Sequence, residues 1–127
     1  MRTRVLMALS LVSLLAISAM AHHSFDAEYD SSKTKTITGY VTKVDWVNPH
    51  AYVYLDSKDD KGVVHSYRIE MGPPYALARS GWKKDTIKVG DKITIENAAL
   101  AKDGSNTAGS LPSTSMTLAS GQKMGMR

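Results

Sequence analysis

Thr34-Lys35-Thr36-Ile37-Thr38-Gly39-Tyr40-Val41-Thr42-Lys43-Val44-Asp45-Trp46-Val47, running on into Asn48-Pro49-His50, is the stretch from which the fold is read. Threonine, valine, isoleucine and tyrosine favour the pleated, half-buried backbone of a strand. Ile37, Gly39 and Val41 share one phase of the two-residue period, whereas Val44 and Trp46 share the other. A phase change within one strand requires an extra residue, so a β-bulge or strong bend is expected near Thr42-Lys43, with Gly39 easing the coil. Long bent first strands belong to small barrels. Asn48 precedes a proline, whose ring clashes with helical backbone at the preceding residue, so the chain turns or stays extended and His50 opens the next strand.

Downstream of the turn, His50 to Leu55 reads as a second strand, with Ala51, Val53 and Leu55 on one face and His50, Tyr52 and Tyr54 on the other. A polar turn over residues 56–62 leads to a third strand, Val63 to Met71, and the two form a hairpin by proximity. Gly72-Pro73-Pro74 ends it. Pro74 suits the first turn of a short helix through Tyr75 to Ser80, and Gly81 is its left-handed stop. After the tight turn at Gly90-Asp91 comes a strand with Ile93 and Ile95 inward. Lys102 to Pro112, rich in Gly, Ser, Asn and Thr without an apolar period, is expected to be a mobile loop. Ser113 to Ala119 is the last clear strand, with a short edge segment at Gly121-Gln122-Lys123. The expected fold is mainly β: a small OB-like Greek-key barrel of about five strands with one short helix between strands three and four. A sandwich is the alternative.

Upstream of the deciding stretch, Arg2 and Arg4 precede an apolar run from Val5 to Ile17, and Ala19-Met20-Ala21 supplies the small residues that a signal peptidase reads. Residues 1–21 are therefore expected to be a signal peptide, leaving residues 22–127 as a single domain that is periplasmic or secreted. No apolar stretch approaches the roughly 20 residues needed to span a bilayer as a helix. From His22 to Ser32 the chain is polar, with Phe25, Ala27 and Tyr29 alternating with acidic residues, as in a short edge strand or an extended arm. Two of the four net positive charges lie in the leader, and the remaining Lys and Asp are interspersed, so the charge gives no reason to expect nucleic acid as a partner. With no cysteine, disulfides, thiolate metal sites and cysteine nucleophiles are all excluded.

His22-His23-Ser24-Phe25 directly after the leader, Trp46-x-Asn-Pro-His50, Gly81-Trp82, Val89-Gly90-Asp91 and Lys102-Asp103-Gly104 together resemble a family of small secreted bacterial domains of unknown function. The resemblance covers nearly the whole chain after the leader. It implies an envelope or secreted location and a compact β-barrel, and it brings no activity and no site assignments.

Function has to be sought in the side chains. All four histidines, His22, His23, His50 and His65, lie beyond the leader. Imidazole suits copper, zinc and nickel. If processing leaves His22 as the first residue, its α-amine and ring Nδ1 chelate one metal ion, and the amine's ordinary pKa of about 7.7–8.0 keeps proton competition mild. A third nitrogen from His50 or His65 completes a T-shaped N3 site that fits Cu(II), and Asp26 or Glu28 is placed to add an axial oxygen. His50 shares its face with Tyr52 and Tyr54 and is expected to be the accessible histidine. His65, in phase with Tyr67, Ile69 and Met71, is expected to lie against the core edge. Met124 and Met126 add soft thioethers that suit Cu(I).

The bland readings stand beside these. The His-His pair is acceptable beside any cleavage site, and His50 can simply hydrogen-bond the turn behind Asn48-Pro49. Trp46, Tyr52, Tyr54 and Trp82 form either core aromatics or a surface on which a non-metal module would hold a peptide, a glycan or an envelope protein. Arg68 and Glu70 read as a solvated strand face with cross-strand charge pairing. Ser24 beside His23 is no nucleophile pair, and no general acid is set against a general base, so enzymatic function is not expected. A small copper oxidoreductase is the enzyme class that the histidines leave open.

Overall fold

The structure is a computed structural model that describes residues 24–127. The expected leader and His22 and His23 lie outside the described residues. The element order is a helical turn at residues 24–28 (α1), β1 (Tyr29–Asp45), β2 (Tyr52–Lys58), β3 (Val64–Glu70), α2 (Pro74–Arg79), β4 (Lys92–Ala101), β5 (Thr107–Thr117) and β6 (Lys123–Gly125). Hydrogen-bonded neighbours run β3-β2-β1-β4-β5-β6, and β3 also pairs with β5. That last pairing is parallel, Arg68 with Thr107, Ile69 with Ala108 and Glu70 with Gly109, and it closes β1 to β5 into a ring of OB-like connectivity.

β1 serves both neighbours, because it is long and bent. Its first part, from Tyr29 to Tyr40, pairs with β4, and its second, from Tyr40 to Asp45, pairs with β2. The expected irregularity lies between Val41 and Lys43, where the pairing register shifts. Gly39 eases the bend in a specific way: a Cβ there would stand 2.1 Å from the carbonyl oxygen of Asp56 on β2. The strand begins earlier than its β-branched residues suggest, because Tyr29 and Asp30 already pair with Ala101 and Leu100. The segment His22–Ser32, expected as a short edge strand or an extended arm, is within the described residues a helical turn followed from Tyr29 by the start of this strand, which has β4 beside it.

The core fills the ring with Ile37, Val41, Val53, Leu55, Ile69, Ile93, Ile95 and Met116, all nearly inaccessible to solvent, and Leu77 of α2 with Trp82 closes one end. Pro74 opens α2 and Gly81, at φ 95°, ends it as expected. Two expectations fail here. Residues 107–112 are strand rather than mobile loop, with Ala108, Gly109 and Ser110 buried. Their small size answers a packing need: a Cβ on Gly109 would come within 2.7 Å of the rings of Phe25 and Tyr29. Met124 and Met126 are core residues, and Trp82 is buried with its indole N–H donating to the Gly125 carbonyl at 2.8 Å. Thioethers and an indole inside the core present nothing to a copper ion or a partner.

Gly39→Ala is expected to destabilise the fold by about 3 kcal/mol or more, because the clash is with backbone that cannot move without parting β1 from β2. Gly125→Ala, which meets nothing within 4 Å, should change stability by no more than about 0.5 kcal/mol. Urea unfolding of the two variants checks the contrast.

Candidate functional site

The turn that ends β1 also aims His50. Asn48-Pro49, joined by a cis peptide, carries the chain out of β1, and Ala51 is then fixed on both sides: its N–H donates to the Gly72 carbonyl at 3.1 Å and its carbonyl accepts from Met71 N–H at 2.8 Å. Ala51 points into the core with no exposure, so alternation turns His50 to the outer face, as expected. Tyr52 and Tyr54 follow on the same face, both half-buried.

Glu70 stands beside His50 because β3 places it opposite Tyr52, two residues further along the same face. Each of its carboxylate oxygens has a close side-chain neighbour. Oε1 lies 2.8 Å from His50 Nδ1, and Oε2 accepts from the Tyr29 hydroxyl at 2.8 Å. The Glu70 backbone is held in turn, its carbonyl accepting from Ser110 Oγ at 2.6 Å and the residue pairing with Gly109 where β3 meets β5. Glu70 is thus a structured partner, not the solvated strand residue expected. A hydrophobic-pattern reading missed it, yet the signal was present: hairpin register alone puts Glu70 on the face of His50.

Tyr29 is 2 % exposed, and an unpartnered buried hydroxyl would cost roughly 1–3 kcal/mol, which the Glu70 bond avoids. Burial above all, then the hydrogen bond and negative charge of Glu70, pushes the phenol well above the ordinary tyrosine range, so it stays protonated. The His50–Glu70 pair is different. With side chains 42 % and 15 % exposed, it contributes no more than about 1 kcal/mol, so its consequence is orientation rather than stability.

The beginning and end of the described chain close over this pair. α1 is tethered through Lys102, whose N–H donates to the Glu28 carbonyl at 2.9 Å and whose ammonium donates to the Asp26 carbonyl. Phe25 packs on Tyr29 with ring centroids 4.9 Å apart, and the Arg127 guanidinium lies over the Phe25 ring at 5.1 Å. Ser24, Phe25, Tyr29, His50, Glu70 and Arg127 thereby border one cleft of about 170 Å³, with Glu28 at its edge.

The other expected site residues lie elsewhere. His65 is half-exposed on the core side of β3, as its phase suggested, but it pairs with Ser57 at the far end of the hairpin and bonds Asp59 at 2.9 Å. The seven residue-to-residue steps from His50 to Ser57 correspond to about 23 Å of extended chain, so His50 and His65 do not meet. The His65 hydrogen bond, followed by that from Val63 N–H, holds Asp59 below the usual carboxylate range. Asp26 is exposed and does not border the cleft, whereas Glu28 does. Trp46 is half-buried and packs against the core. Tyr52 and Tyr54 carry their own cations, Arg68 at 4.0 Å and Lys43 at 5.0 Å from the ring centroids, which leaves less ring face free for a ligand. Among the described residues, no three His, Asp or Glu side chains converge as a metal site requires.

The chain belongs to a family of unknown function (DUF6152), whose model matches residues 9–110. No curated protein and no solved structure matches it.

In an alkaline titration followed by phenolate absorbance, Tyr29 should resist ionisation well above the ordinary tyrosine range. The stability linked to Tyr29 is complete below about pH 10 and lost above it, because the unfolded phenol then releases its proton and the folded one keeps it. Tyr29→Phe should remove that component of alkaline destabilisation.

Proposed function

We propose that the protein is a periplasmic or secreted metal-binding protein that holds one Cu(II) through the α-amine and ring Nδ1 of an N-terminal His22 together with a ring nitrogen of His50. The observation that carries this reading is that Ser24 and His50 border the same cleft. His22 precedes Ser24 by two residues in the sequence, and two residues of extended chain span at most about 7 Å. A ligand pair that is remote in sequence is therefore within reach, provided processing occurs after Ala21.

Three nitrogens in a T-shape suit Cu(II), and the amine–imidazole chelate supplies two of them from one residue. Glu28, at the edge of the cleft, is available as an axial oxygen donor. His23 and His65 are not required. Storage, delivery or protection against free copper are the roles that such a site serves. Among the described residues no helix is long and apolar enough to cross a membrane.

The protein purified after export should bind one Cu(II) and give a type-2 electron paramagnetic resonance spectrum with three nitrogen ligands. One alanine inserted ahead of His22 should weaken binding by orders of magnitude, since it moves the α-amine off the chelating residue. His50→Ala should remove one nitrogen from the spectrum. Unchanged affinity in the insertion variant would exclude the proposed ligand set.

A further inference from the structure

Glu70 is the side chain at the cleft whose two oxygens are both engaged by side chains across it, and this decides what His50 can offer a ligand. Its Oε1 faces His50 Nδ1 and its Oε2 faces the Tyr29 hydroxyl, each at 2.8 Å. A carboxylate is a strong acceptor, and a neutral imidazole whose Nδ1 faces it at this distance places its proton on that nitrogen. We infer that Glu70, locked by Tyr29, is a positioning residue that holds neutral His50 with Nδ1 protonated, so that Nε2 is the nitrogen presented to a metal ion. This deepens the copper reading and rests on it for the identity of the metal.

Three features make the lock rigid. Tyr29 is buried and its phenol stays protonated, so the hydroxyl acts toward Glu70 as a donor. Ser110 Oγ and the parallel pairing with Gly109 fix the backbone of Glu70. The hydrogen bonds flanking Ala51 fix the backbone next to His50. The groups facing His50 and Glu70 from the packed elements are Tyr29 and Glu28 at the start of the described chain and Arg127 at its end. A carboxylate bonded to the distal nitrogen of a ligating histidine orients the ring and raises its basicity, and loss of such a partner typically lowers metal affinity by 10–100-fold.

The test uses the exported full-length chain with Cu(II) alone as the probe. In metal-free wild type, above the pH at which imidazoles are protonated, long-range ¹H–¹⁵N spectra should show His50 protonated at Nδ1 and bare at Nε2. Glu70→Ala should shift His50 toward the other tautomer and weaken copper binding by about 10–100-fold. Glu70→Gln, whose amide oxygen still accepts from Nδ1, should fall between the two in affinity, a rescue that a general loss of packing would not give. An Nε2-protonated His50 in the wild type would overturn the inference, as would Glu70→Ala binding copper as tightly as the wild type. Absence of copper binding by the wild type would overturn the proposed function instead. The tautomer, read without metal, would still decide the role of Glu70.

Discussion

The parallel pairing of β3 with β5 over Arg68–Glu70 and Thr107–Gly109 is the contact on which the rest depends. Without it the six strands are an open sheet with β3 at one edge. With it the ring closes, the core is enclosed, and Glu70 is fixed at the junction beside His50. The same junction needs Gly109, because the rings of Phe25 and Tyr29 lie where any side chain on that residue would go. A packing constraint at the closure of the ring thus sets where the beginning of the described chain runs. That path brings Ser24 to the border of the cleft that His50 also lines.

The energetics of the cleft divide by burial. Tyr29 is deep enough that its hydrogen bond to Glu70 bears on stability and on the state of the phenol. His50 is wet enough that its bond to the same carboxylate bears mainly on which way the ring faces. One glutamate therefore joins a structural residue on one side to a functional candidate on the other. Among the described residues no buried side-chain polar atom lacks a partner.

Much of the fold was legible because strand periodicity and glycine placement are local signals. The phase change between Val41 and Val44 located the bulge, Gly81 ended the helix, and the alternation after Pro49 correctly turned His50 outward. What failed was set by contacts remote in sequence. Residues 107–112 look like a loop because their small side chains accommodate Phe25 and Tyr29, some eighty positions away, and nothing local distinguishes that from mobility. Met124 and Met126 resemble soft ligands until β6 folds them into the core. The candidate site was half visible. His50 stood out as an exposed imidazole beside a rigid turn, whereas Glu70 and Tyr29 became partners only once the ring had closed.

The central claim is that His22, freed by processing, joins His50 around one copper ion. Intact mass of the exported protein, recorded natively with and without added Cu(II), tests it most directly. The account predicts a chain that begins at His22 and gains the mass of one copper, with copper lost more readily from the His50→Ala variant. A chain that begins elsewhere and binds copper equally well, or a chain that begins at His22 and gains nothing, would contradict it.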